Sequence, residues 1–237
     1  MGGTQQGNER TVVVTGAGKG LGAATVKALL ARPDTTVIAV SRDLSQLEQE
    51  LGGSASFVPI RLDLQAADAA ARLALHIGQR RVHALIHNAG ILHKAAMGLH
   101  RRNDLEALFR TNVIAPLELS QALVAHLDGD PPGHIVHIGS MGGFQDSVKF
   151  PGLVAYSASK AALACVAQCL AEEFKDRGIR SNCLAIGSVD TSMLREAFPG
   201  FQAGTKAQAM GAYIAQFALE GHNLYNGKVL PVASTTP

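Results

Sequence analysis

The stretch Val12-Val13-Val14-Thr15-Gly16-Ala17-Gly18-Lys19-Gly20-Leu21-Gly22 decides the reading of the fold. Three β-branched residues run into a glycine-rich turn, and the turn runs into a helix-forming segment. A strand, a tight turn and a helix in that order make a seat for a pyrophosphate. Glycine lets the backbone turn sharply and approach the anion without a Cβ in the way. The first N–H groups of the helix then face the anion, and the helix dipole adds favourable charge.

Outward from this stretch, strand-like and helix-like segments alternate. Residues 12–15, 36–41, 57–62, 84–87, 135–139, 180–186 and 228–232 read as strands, and residues 21–31, 44–51, 66–77, 104–127, 156–177 and 206–219 as helices. Pro116 should kink or break the long fourth helical stretch. The strands are short, continuous apolar runs, as in a parallel sheet covered on both faces. Repeated βα units with right-handed crossovers imply a doubly wound, mostly parallel α/β sheet of about seven strands with helices on both faces, the Rossmann arrangement. The 237 residues suit one domain, over residues 11–237, after a flexible tail at 1–10. Loops at 141–152 and 187–205 should lie at the carboxyl ends of strands, where open α/β sheets bind ligands.

Composition narrows the function classes. Apolar residues make up 47% and charged residues 17%, a globular balance. A net charge of +2 is too near neutrality to argue for nucleic acid or an anionic membrane as partner, and Arg101-Arg102 reads as solvated charge. No apolar run appears long enough to span a bilayer. Residues 1–10 lack a signal-peptide core, and Gln6 stands where a myristoylation signal has Ser or Thr. The expectation is a cytoplasmic protein. Three cysteines do not suggest a disulfide framework. Cys165 and Cys169, one helical turn apart, read as small fillers on a buried helix face, and no metal site is expected.

The spacing Thr15-Gly16-x-x-x-Gly20-x-Gly22, followed in order by Asn88-Ala89-Gly90, Ser140 and Tyr156-Ser157-Ala158-Ser159-Lys160, resembles the short-chain dehydrogenase/reductase family in its compact single-domain branch. The resemblance runs from Val12 to about Val232. It implies a catalytic set of Asn112, Ser140, Tyr156 and Lys160. Tyr156 and Lys160 are four apart on a helix and share a face. A free phenol has a pKa of about 10, and the neighbouring ammonium together with an oxidised nicotinamide should lower it. Tyr156 is then the general acid/base, and Ser140 polarises the carbonyl oxygen. Lys160 also orients the nicotinamide ribose, and the backbone of Asn112 holds a proton-relay water.

The resemblance also assigns a dinucleotide site to Gly16, Gly18, Lys19, Gly20, Leu21, Gly22, Ser41, Arg42, Asp63, Leu64, Asn88, Ala89, Gly90, Tyr156, Lys160, Gly187, Val189 and Thr191. NAD-binding members carry an acid at the end of the second strand; here Ser41 stands there. Arg42 and Lys19 supply cations for a 2′-phosphate. NADP(H) is therefore the preferred cofactor, with NAD(H) possible if Asp43 is the ribose acceptor. Asp63 resembles the family's adenine contact and, taken alone, reads as a helix N-cap. His87 reads as structural. The family's Pro-Gly after the sixth strand is replaced by Ile186-Gly187, which should loosen that loop, and the gap between Ser140 and Tyr156 is a few residues longer than usual.

Segments 91–97, 141–150 and 193–204 should build an apolar substrate pocket from Met97, Met141, Phe144, Phe150, Met193, Leu194, Phe198 and Phe201. The expected activity is carbonyl reduction or secondary-alcohol oxidation of a small molecule. The alternative from another class is a non-catalytic NADP(H)-binding redox sensor, a role in which Tyr or Lys is often absent; here both are present. Sugar-nucleotide epimerisation would need a larger chain and a different glycine spacing. A homodimer or homotetramer is expected by resemblance, with the small face Ala161, Ala164, Cys165, Gln168 and Cys169 suited to close helix packing.

Overall fold

A computed structural model describes residues 9–234. The tail expected at 1–10 lies, through residue 8, outside the described residues, and Arg10 already belongs to the first strand. The chain order is β1 (Arg10–Thr15), α1 (Gly20–Leu30), β2 (Thr35–Ser41), α2 (Ser45–Leu51), β3 (Phe57–Arg61), α3 (Ala69–Ile77), β4 (Ala84–His87), α4 (Arg102–Phe109), α5 (Ala115–Leu127), β5 (His134–Ile138), α6 (Val154–Glu173), β6 (Arg180–Ile186), β7 (Val189–Asp190), α7 (Ser192–Ala197), β8 (Thr205–Lys206), α8 (Ala207–Glu220) and β9 (Val229–Val232).

Seven strands form one sheet in the order β3-β2-β1-β4-β5-β6-β9, and every pairing is parallel. The continuous apolar runs are explained by burial on both faces. Val12 and Val14 pack with Leu29, Ile214 and Phe217 on the side of α1 and α8, while Val13 packs with Leu73, Leu119 and Leu123 on the side of α3 and α5. The chain builds outward from β1 to β3, then returns to place β4 on the other side of β1. The crevice at this reversal opens at the carboxyl ends of the strands, where a ligand can enter between diverging loops.

The break expected at Pro116 lies just ahead of it: α-helical bonding is interrupted by a π-turn at Arg110–Ile114, and Pro116 follows in the first turn of α5. The expectation about apolar runs is corrected: α6 is long and apolar enough to cross a membrane by length and composition alone, with a mean hydropathy of 1.3. Its alanines and leucines produce that value, and the helix packs one face against β5 and β6. The cysteine expectation also fails. Cys165 and Cys169 lie on the exposed side of α6, and only Cys183 is buried, because α6 turns Leu163, Ala167 and Ala171 inward instead.

Candidate active site

The glycine turn is shaped by contacts that exclude side chains. Gly16 and Gly20 have φ of +65° and +56°, the left-handed region that glycine occupies without strain. A Cβ on Gly18 would stand 2.0 Å from the Asp43 carbonyl oxygen, and one on Gly22 would stand 2.2 Å from the Gly16 carbonyl oxygen. The turn is therefore pressed between the end of β2 and the start of α1. No side chain caps α1 at Lys19, and no acid lies in its first turn. Its first N–H groups thus remain open to an anion. From the other side, Asn88 donates to the carbonyls of Thr15 (2.9 Å) and Gly16 (3.1 Å), and the Thr15 hydroxyl accepts from the N–H groups of Asn88 and Ala89. These bonds join β1 to β4 at the reversal of strand order.

One cleft runs from this turn across the carboxyl end of the sheet. It is lined by Gly16, Gly18, Lys19, Gly20, Leu21 and Gly22, by Ser41 and Arg42, by Asp63 and Leu64, by Asn88, Ala89 and Gly90, by Ser140, Tyr156 and Lys160, and by Gly187, Val189 and Thr191. Asp43 points elsewhere: its carboxylate accepts from the Ser45 N–H at 2.9 Å, which holds it below the usual carboxylate range. The reading of Asp63 as a helix cap is corrected, because Asp63 accepts from Gln65 N–H in a turn while α3 begins only at Ala69. The loop after β6 is tied to its neighbours by backbone and side-chain bonds. Gly187 N–H donates to Val232 O at 3.0 Å, β7 pairs with β8, and the Thr191 hydroxyl caps α7 by accepting from Leu194 N–H.

At the inner end of the cleft, Ser140 follows β5 and Tyr156 and Lys160 project from the first turns of α6. Burial raises the Tyr156 phenol above its ordinary value, and hydrogen bonding with Ser140 opposes that rise. Lys160 is 5% exposed, and burial lowers its ammonium to about 8. Its Nζ donates to Ile138 O at 2.8 Å and lies 6.0 Å from the centre of the Tyr156 ring. Desolvation dominates at Tyr156, while the Lys160 ammonium is turned to a backbone carbonyl.

Asn112 stands behind the cleft wall, fully buried. Its Oδ1 accepts from Ile91 N–H (2.9 Å), and its Nδ2 donates to Ile91 O (3.0 Å) and to the Ser159 hydroxyl (3.0 Å). Ser159 in turn donates to Tyr156 O at 2.7 Å. The Asn112 side chain therefore clamps the loop after β4 to the first turn of α6, which carries Tyr156. Sequence reading missed the part of Ser159, although the residue lies inside the quoted Tyr156–Lys160 motif. Gln65 and Thr111, bonded at 3.1 Å, also line the cleft without having been singled out.

The substrate end differs in part from expectation. Met141, Phe150, Met193, Leu194 and Phe198 line the cleft, joined by Ile91, Leu92 and Leu153. Met97, Phe144 and Phe201 do not. Met97 is 81% exposed on the outer side of its loop.

The short chain dehydrogenase family matches residues 10–200. The chain belongs to the short chain dehydrogenase family. It is 32% identical over 211 residues to a fatty acyl-CoA reductase of Mycobacterium tuberculosis, covering 84% of this chain and 70% of that protein. It is 33% identical over 187 residues to carbonyl reductase [NADPH] 2 of Sus scrofa, covering 77% and 73%. Among solved structures, Pseudomonas aeruginosa RhlG in a complex with NADP superposes with a TM-score of 0.83 at 26% identity over 94% of each chain. This short chain dehydrogenase is an oxidoreductase of a family that uses NAD(P)(H) on small molecules. The cleft fits a dinucleotide, because the open N-terminus of α1 and the side-chain-free turn meet the demands of a pyrophosphate.

Proposed function

We propose that this short chain dehydrogenase is an NADP(H)-dependent oxidoreductase that interconverts a carbonyl and a secondary alcohol on a small, largely apolar substrate. One observation carries the reading: Ser140, Tyr156 and Lys160 meet in the same cleft as the glycine turn. When bound, the nicotinamide supplies the hydride. Burial keeps the Tyr156 phenol protonated at neutral pH, so Tyr156 Oη holds the proton that the carbonyl oxygen needs as it becomes an alkoxide. Ser140 donates a second hydrogen bond to the same oxygen and stabilises the charge developing there. Lys160, lowered to about 8, is still mainly charged at pH 7 and lends positive potential to the site. In binding the dinucleotide, its side chain would exchange Ile138 O for the ribose. Asn112 and Ser159 fix the backbone of the Tyr156 turn.

For cofactor preference, Lys19 and Arg42 are exposed cations on the cleft rim, and Asp43 is committed to Ser45. Two cations without a competing acid favour a 2′-phosphate. Fluorescence titration with NADPH and NADH in one buffer tests this. Tighter NADPH binding is expected, and Arg42→Asp should reduce the preference by about tenfold, the loss of one charge-assisted bond. Equal binding of the two by the unaltered protein would overturn the preference. The exposed α6 residues Ala161, Cys165, Gln168 and Cys169 support pairing of α6 with a second copy in a dimer or tetramer. Light scattering showing a monomer at micromolar concentration would reject it.

A further inference from the structure

Three segments border the substrate end of the cleft: the loop after β4, the turn before α6, and the lid that begins with α7. A single side chain joins them. Lys94 Nζ donates to Ala197 O, the last residue of α7, at 2.9 Å. The same ammonium lies 4.5 Å from the centre of the Phe198 ring. Phe198 lines the cleft and meets Phe150, also a lining residue, edge-on with ring centres 6.0 Å apart. The Lys94 stem runs beside Gly152, where a Cβ would stand 3.1 Å from Lys94 Cγ, and the adjacent Ala95 N–H donates to Gly152 O at 3.0 Å. Among the described residues, no carboxylate lies within ion-pair distance of Lys94. Its charge is spent on the lid.

We infer that Lys94 is a positioning residue that determines substrate specificity by holding the Phe198 wall of the pocket in place. A hydrogen bond to the end of a helix of only six residues, together with a cation–π contact, fixes an element that has little stability of its own. With the latch in place, Phe198 and Phe150 close the far end of an apolar channel, and the length of substrate that fits is limited by that wall. Without the latch, α7 swings more freely and the wall is lost, while Ser140, Tyr156 and Lys160 stand on other elements and keep their geometry.

The specificity role rests on the carbonyl chemistry proposed above, whereas the latch itself does not, and the test separates the two. Lys94→Met keeps the stem and removes the charge and the donors; Lys94→Arg restores both. Hydrogen exchange read by mass spectrometry needs no substrate. The lid amides at 193–204 are expected to exchange at least tenfold faster in Lys94→Met, the glycine turn at 16–22 to be unchanged, and Lys94→Arg to return the lid to its original rate. Unchanged lid exchange overturns the latch. In turnover, a short and a long apolar ketone are compared. For the long ketone, Lys94→Met is expected to lower KM about fivefold with kcat within twofold, and Phe198→Ala, which removes the wall directly, should do the same. A fall in kcat with KM unchanged overturns the positioning role. If the unaltered protein reduces neither ketone, the proposed reaction fails, and the exchange result alone decides Lys94.

Discussion

Where the glycine turn borders the cleft, the wall is backbone, and a Cβ on Gly18 or Gly22 would come within 2.2 Å of a carbonyl oxygen. Where the lid borders it, the wall is side chains: Phe150, Phe198, Met193 and Leu194, carried on loops and a single short helix. The cofactor half is braced by Thr15 and Asn88 across two central strands. The substrate half is held by contacts that reach between loops, such as Ala95 with Gly152. A rigid half can serve one invariant cofactor, while a half made of replaceable side chains can be refitted to a new substrate without disturbing it. The join between them is the Ser140 and Tyr156 pair.

Variants can break this contrast or sharpen it. The largest effect is expected at the join: Tyr156→Phe removes the transferable proton and should lower kcat by roughly 10²- to 10⁴-fold. NADPH affinity should stay within about threefold, which pre-steady-state binding measures. Turnover near that of the unaltered protein would place the proton donor elsewhere.

Next is the backbone wall. Gly18→Ala must move either the turn or the end of β2, and overpacking of this kind costs about 1–3 kcal/mol. Chemical denaturation should show that loss, and NADPH binding should weaken with it. Unaltered binding would mean that the turn yields more easily than its contacts indicate.

The strands that carry the cofactor half also hold buried imidazoles. Burial lowers His87 and His134 to about 3 and His137 well below its usual value. Their folded-state pKa values lie below the unfolded value near 6.5, so the unfolded chain binds more protons as pH falls. Stability is then complete above about pH 6.5 and is lost progressively toward pH 3. At pH 5, His87 and His134 each cost about 2 kcal/mol. Urea midpoints measured from pH 7.5 to pH 5 should drop steeply, and a flat profile would mean these rings are already solvated.

The smallest effect is expected at Met97→Ser. With its side chain outside the cleft, KM and kcat for an apolar ketone should both stay within about twofold, as surface substitutions generally do. A larger change would bring Met97 back into the pocket.

The same contrast governs what could be read in advance. The glycine turn, Asn88-Ala89-Gly90 and Tyr156-x-x-x-Lys160 are local patterns whose geometry follows from spacing along one strand or helix, and these residues line one cleft. The alternation of apolar runs was enough for the seven-stranded parallel sheet because burial on both faces leaves no other pattern. The lid was harder to read. An aromatic residue in a loop has no period to fix its direction, so Phe150 and Phe198 could not be separated from Phe144 and Phe201. Cys165 and Cys169 were misplaced for a related reason: in a helix as rich in alanine as α6, small residues occupy both faces and the hydrophobic stripe is blurred. Lys94 carried no sequence signal, since its partners are a backbone carbonyl and a ring about a hundred residues away.

The π-turn at Arg110–Ile114 has a consequence for how this chain tolerates length changes. A π-turn holds one residue more than the α-helical turn it replaces, and each helical residue advances about 100° around the axis. Deleting any one of these five residues would remove the offset just ahead of Pro116, which has no N–H to donate to the carbonyl four residues back. The same deletion would rotate α4 by about 100° relative to α5 and carry Asn112 off its seat against Ile91 and Ser159. The extra residue acts as a phase offset between two helices, so a shortening there would uncouple α4 and Asn112 from the site.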